Sequence, residues 1–185
     1  MNVVRRPAAG FSLIEVLLVV SLGAVLTGIT LFAFQAAQRQ IQGDANLRLL
    51  TSQFETARER ALTERRNIEV RLLGTNEIAT VRREVPAGET PIARVFFEGN
   101  ARFTLWAGVP DTPDGFGNAA AIDFGGAAVR MFAPDGMFVD AAGLPVNGTV
   151  FLGAPNRPET ARAVTVFGAT GRVRGYRWNG SAWVQ

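Results

Sequence analysis

Hydrophobic and polar positions change their period twice along this chain. From Gly10 to Phe34 almost every position is apolar, and no charged residue occurs between Val16 and Gln38. A helix of about 20 apolar residues crosses a hydrocarbon core, so length and composition make this stretch a membrane-span candidate. From Asp44 to Arg66 the pattern is amphipathic. Leu47, Leu50, Phe54, Ala57 and Ala61 recur at intervals of three and four, which predicts one apolar helical face. Arg48, Glu55, Arg58, Glu59, Arg65 and Arg66 fall elsewhere, and Glu55 and Arg58 are spaced for an i,i+3 ion pair. The two stretches join without a breaker, so one helix is expected from about Ser12 to Arg66, with Gly43 as a possible bend.

After Asn67 the period becomes two. Ile68–Leu72 and Ile78–Arg83 alternate around Gly74-Thr75-Asn76 and predict a hairpin. Residues 84–91 read as a loop. A second hairpin is expected from Arg94–Glu98 and Arg102–Trp106 around Gly99-Asn100-Ala101. Residues 107–120, rich in Gly and Pro, read as an exposed excursion. Short strands follow at Ala121–Phe124, Ala128–Phe132 and Met137–Val139, then at Thr149–Leu152, Arg162–Phe167 and Arg172–Trp178. The resulting organisation is a leader at 1–10, an apolar helix at 11–38, its amphipathic continuation at 39–67 and a β-rich domain at 68–185.

Composition narrows the chemistry. Among 185 residues there is no Cys and no His, which excludes thiol chemistry, a disulfide framework, His-based triads and His metal sites. All 19 basic residues are Arg against 16 acids, a small net charge of +3 that says little about partners. Asp111, Asp114 and Asp123 are too sparse for calcium, which wants six to eight oxygens, and turn chemistry is the better reading. No metal, cofactor or enzymatic activity is expected.

Two features of the N-terminus carry the functional signal. Arg5 and Arg6 precede the apolar stretch, and basic residues mark the cytoplasmic flank of a span. Glu15 is embedded in the stretch, where a charge costs roughly 2.5–3.5 kcal/mol on insertion scales and is usually functional. Gly10-Phe11-Ser12-Leu13-Ile14-Glu15-Val16 resembles the cleavage and methylation motif of type IV prepilins and type II secretion pseudopilins, with glutamate at the fifth position after glycine. The resemblance implies that prepilin peptidase cuts between Gly10 and Phe11, that the new amine of Phe11 is methylated, and that Glu15 meets that amine on a neighbouring subunit during assembly.

The C-terminal half carries a looser resemblance. Leu49–Arg66, Ile68–Leu72, Met131–Gly136 and Ala163–Arg174 are similar to the GspH/FimT group of minor pilins and pseudopilins. The implied fold is α+β and pilin-like: a long N-terminal helix, half transmembrane and half amphipathic, packed on a β-rich domain. In some FimT-type pilins a Gly-Arg-x-Arg loop binds DNA, and Gly171-Arg172-Val173-Arg174 matches it. Arg172, Arg174, Arg177 and Arg162 are therefore the candidate DNA contacts, with Tyr176, Trp178 and Trp183 as candidate stacking platforms. The competing reading is a charge-protected strand edge over buried tryptophans.

The expected function is a type IV minor pilin, with a type II secretion pseudopilin as the alternative. Expected partners are prepilin peptidase, other pilin or pseudopilin subunits, the inner membrane and, as a candidate, DNA. The expected location is a single pass through the bacterial inner membrane with the C-terminal domain in the periplasm, and then a filament or the cell surface.

Overall fold

The computed structural model describes residues 12–185. Its first element is α1, Leu13–Glu64. The chain separates into two compact units, one ending at Arg39 and one comprising Gln40–Gln185.

In the first unit α1 is apolar all round over Leu13–Leu31, long enough and apolar enough to cross a membrane. Apart from Glu15, its polar side chains are hydroxyls bonded back to the helix. Thr27 donates its hydroxyl to the Gly23 carbonyl, Ser21 to Leu18, and Thr30 to Leu26 and Thr27. Hydroxyls bonded back to their own helix leave no donor stranded in a solvent that offers no partners.

In the second unit α1 acquires a single buried stripe. Leu50, Phe54, Ala57 and Ala61 are at most 1% exposed, as their spacing predicts, and Leu47 is half-buried beside them. Two antiparallel sheets share this stripe. The first has strand order β3-β2-β1-β6-β7, formed by β1 (Ile68–Leu73), β2 (Glu77–Arg83), β3 (Glu89–Phe96), β6 (Met131–Phe132) and β7 (Phe138–Val139). The second has the order β11-β10-β9-β8-β4, formed by β4 (Arg102–Phe103), β8 (Gly148–Gly153), β9 (Arg162–Phe167), β10 (Arg172–Trp178) and β11 (Trp183–Val184), with β5 (Ile122–Asp123) also on β8. Alternation along β1 turns Ile68, Val70 and Leu72 to the helix, and Val150, Leu152, Val164 and Val166 do the same from the second sheet. Phe54, Phe124, Phe132 and Phe138 fill the centre, with Phe132 and Phe138 at 4.8 Å between centroids.

The opposite face of the second sheet has its own core: Phe151, Ala161, Ala163, Tyr176, Trp178 and Trp183, roofed by Trp106 and Val109. The indole of Trp183 donates to the Pro110 carbonyl at 2.9 Å. The Gly- and Pro-rich segment at 107–120, expected as an excursion, is thus in part the cover of this core. The second expected hairpin is also corrected. β3 pairs with β2 and begins at Glu89 inside the expected loop, whereas β4 pairs with β8, so Gly99–Ala101 crosses between sheets. Likewise Gly125-Gly126 separates β5 from β6, which lie in different sheets.

α1 runs without a break through Gly43. The reason for glycine is Arg162, whose guanidinium would lie 3.2 Å from a Cβ at position 43. Arg162 has no exposed surface. It donates from Nε to Asp44 at 2.8 Å, from Nη2 to Gln40 at 2.7 Å and from Nη1 to the Ala161 carbonyl at 3.0 Å. A buried guanidinium is tolerated only when its donors are used and its charge is answered. The expected Glu55–Arg58 pair does not form. Arg58 instead donates to the Gly136 carbonyl at 3.3 Å, against Gly171, whose positive φ of 61° and close approach to that carbonyl exclude a side chain.

Replacing Asp44 by Ala leaves the Arg162 charge unanswered. The expected loss is about 2 kcal/mol, the range for a hydrogen bond to a charged group. Denaturant unfolding of the two chains under identical conditions measures it.

Candidate functional site

The processing motif and the C-terminal arginines are the two sites singled out by the sequence. Gly10 and Phe11 lie outside the described residues. Glu15 lies in the first turn of α1 and is exposed. Around it Leu13, Ile14, Val16, Leu17 and Leu18 are each more than half exposed, so the carboxylate stands on an otherwise apolar helical surface. Among the described residues it has no ion-pair partner within the chain. A cation supplied from outside would remove the cost of taking it into an apolar environment.

β10 carries three of the four candidate arginines, and its unbroken pairing with β9 fixes their faces. Arg172 and Arg174 share a face, as their spacing predicts, whereas Arg177 points to the other side. Arg172 is exposed, its guanidinium 5.9 Å from the centre of the Phe167 ring. Arg174 is committed within the fold. It donates to Asp114 at 2.9 Å, and the same carboxylate accepts from Tyr176 at 2.9 Å and Thr165 at 2.6 Å. Arg162 stands directly opposite Arg177 on β9, but it is the buried residue that holds Gln40 and Asp44. The structure therefore corrects its assignment as a surface contact: a guanidinium with no exposed area cannot reach a phosphate. The three candidate stacking rings are also in use, with Tyr176, Trp178 and Trp183 all at most 9% exposed. Arg172 and Arg177 remain at the surface, on opposite faces of one strand, and do not form a single cationic patch.

Asp114 is the residue that sequence reading missed. It looked like a turn aspartate in a Pro-Asp-Gly run, yet it ties the cover segment to β9 and β10. Its partners lie 51 to 62 residues away, and no local pattern signals them. Asp111 and Asp123 do serve turns: they accept from the backbone N–H groups of Thr112 and Gly117, and of Ala119 and Gly125.

The electrostatics of this cluster have a direction. Partial burial pushes the Asp114 carboxyl up, but hydrogen bonds from Thr165 and Tyr176 and the Arg174 charge outweigh it and hold it below its usual range. Burial is the dominant effect on Arg162 and lowers its affinity for its proton, opposed by Asp44. Because Asp114 ionises more readily folded than unfolded, its contribution is fully present above the unfolded carboxyl's pKa of about 4 and fades as pH falls through the lower folded value. Asp114→Asn is accordingly expected to flatten the loss of stability below about pH 4 and to lower stability by about 1.5 kcal/mol at neutral pH. Unfolding midpoints of both chains at pH 6 and pH 3 test this.

The comparisons with known proteins agree with both halves of this description. A family model described as the prokaryotic N-terminal methylation motif matches residues 5–31. No curated protein sequence matches. Among solved structures, the type IV minor pilin FimU of Pseudomonas aeruginosa PAO1 aligns with a TM-score of 0.51 at 13% identity, over 82% of this chain and 96% of that one. The minor pseudopilin EpsH from the Type 2 Secretion System of Vibrio cholerae aligns with a TM-score of 0.51 at 13% identity, over 76% of this chain and 99% of that one. The chain thus carries the prokaryotic N-terminal methylation motif and has the α+β fold seen in type IV minor pilins and type II secretion minor pseudopilins.

Proposed function

We propose that this protein is a minor subunit of a type IV pilus-like filament. Prepilin peptidase cuts it between Gly10 and Phe11 and methylates the new amine. The apolar part of α1 holds the subunit in the inner membrane, with the unit from Gln40 onward on the periplasmic side, until it enters the filament. One observation carries the reading. A methylation motif matching residues 5–31 overlaps an exposed apolar helix that bears one carboxylate, Glu15, with no ion-pair partner among the described residues, at the fifth position after the proposed cleavage junction.

The chemistry of assembly follows. In lipid Glu15 is costly. Beside the N-terminal ammonium of a neighbouring Phe11 it becomes half of an ion pair, and helix packing supplies the remaining contact energy. Gly23 and Gly28, where an added Cβ would meet nothing within the chain, are places where a second helix can approach closely. The chain then acts as a structural component and as the substrate of an enzyme. A pseudopilus subunit is the second reading, favoured by the likeness to EpsH. It shares every step of this mechanism and differs in the filament entered. DNA contact is left to Arg172 and Arg177, and no observation favours it.

Gly10→Ala is expected to block or slow conversion to the shorter form, read by mass spectrometry of the N-terminus. A mature product at the normal rate would place the cleavage elsewhere. Glu15→Ala is expected to leave membrane insertion intact and to deplete the protein from sheared filaments. Equal recovery in filaments would remove the pairing role.

A further inference from the structure

The face of the first sheet turned away from α1 contains a hollow, and the strand register explains it. Glu69, Val81 and Pro91 form one row across β1, β2 and β3, and Arg71, Ala79 and Arg94 form the next. The pairing of β2 with β3 shifts between Thr80 and Val81, which leaves Ile92 as an extra residue on β3. Ile92 packs against the core, and Ala93 pairs with Thr80 on that same inner side. Two successive residues of β3 therefore put no side chain on the outer face between Pro91 and Arg94. On β2 the residue beside this gap is only an alanine. The flanking arginines are drawn away from it. Arg71 reaches toward Glu89 and Arg94 toward Glu77, and these two acids lie in opposite directions along the strands. The result is a hollow of about 440 Å³ over Ala79, with Leu73, Val81 and Pro91 in its lining.

We propose that this hollow receives an uncharged aromatic side chain presented by another protein. Charge selects first. Glu69, Glu77 and Glu89 stand against Arg71, Arg83 and Arg94 on this face, and all six belong to ion pairs. An incoming charge would lose water and find no free counter-charge, so the fitting occupant is neutral. The walls then favour a ring over an aliphatic group. A guanidinium held through its N–H groups by carboxylates keeps its flat faces free, and those faces attract π-systems. Arg94 already behaves in this way: it donates to Glu77 while its guanidinium lies 5.8 Å from the centre of the Phe96 ring. Arg71 is held likewise by Glu69 and Glu89. The form of the hollow favours a side chain over a free ligand. It opens on a sheet face, where a small molecule would stay largely in water, whereas small-molecule sites bury most of their ligand. A ring carried on a polypeptide brings its own backbone as cover. Leu73 and Phe96, 40% and 51% exposed in the row beside Ala79, extend the apolar surface for residues flanking that ring. The surface lies on the side of the sheet opposite α1 and uses none of the residues assigned to processing or assembly.

The test uses the full-length chain in detergent micelles, with the methyl groups of alanine and leucine isotope-labelled for NMR. Two end-blocked, neutral tripeptides are titrated in, one with tryptophan and one with leucine between two glycines. The Ala79 methyl signal, identified by its loss in Ala79→Ser, is expected to move upfield under the indole ring current and to saturate with the tryptophan peptide. The leucine peptide is expected to leave it in place. Arg94→Gln removes one flanking guanidinium and is expected to weaken the tryptophan peptide about two- to five-fold, the range of an exposed cation–π contact. Ala79→Leu fills the hollow and is expected to abolish the response at the Leu73 methyl groups. Unchanged unfolding midpoints show that the variants keep the fold. Arg94, whose side chain is 67% exposed, decides the matter should Ala79→Leu not fold. No shift at Ala79, an equal shift with the leucine peptide, equal shifts at methyl groups throughout the chain, or a titration indifferent to Arg94→Gln would each overturn the proposal.

Discussion

One helix has to satisfy two solvents. Over Leu13–Leu31 the surface of α1 is apolar except at Glu15, and its hydroxyls are turned back onto its own carbonyls. From Gln40 onward the same helix must present a narrow apolar stripe to two sheets and a polar stripe to water. The change of regime is sharp because it is written in side chains while the backbone stays the same: helical hydrogen bonds are indifferent to what surrounds them, but each side chain is not. The stripe Leu50, Phe54, Ala57 and Ala61 lies in the core that both sheets share, and without it each sheet would expose Val, Ile and Phe to water.

The entry of the helix into the folded unit is held by a charge. Arg162 sits in a strand otherwise made of Ala, Val, Thr and Phe, and its guanidinium reaches Gln40 and Asp44 across 118 to 122 residues of sequence. A buried ion pair contributes little net stability compared with apolar packing, but it is unforgiving of displacement, because any shift strands a charge. Gly43 makes room for it. The arrangement therefore acts more on where the helix meets the second sheet than on how tightly the two adhere. The Asp114 cluster does the same for the cover over the second core, where one carboxylate gathers three donors from two strands.

These internal commitments decide what is left for partners. Residues that looked equivalent in sequence, Arg162, Arg172, Arg174 and Arg177, divide into a buried clamp, a strap to Asp114 and two exposed cations on opposite faces. Aromatic rings that could have stacked on a ligand fill a core. By contrast Glu15, Arg48, Glu55 and Glu59, all on α1, belong to no ion pair among the described residues, and neither do the exposed Arg172 and Arg177.

The sequence by itself determined the elements whose signals are local. The span, the buried stripe of α1, the first hairpin and strands β9 and β10 could be read from periodicity, since the repeat of a helix or a strand dictates which side chains share a face. The processing motif was legible because its residues are contiguous. Only the tertiary structure decided which strands pair at a distance. β3 and β4 are neighbours in sequence and go to different sheets, since pairing depends on which partner completes a core and not on the turn between them. It also decided which charges are spent internally. Whether Arg162 or Arg174 reaches water depends on an aspartate dozens of residues away, and electrostatic pairing acts through space, where the order of residues along the chain carries no record of it.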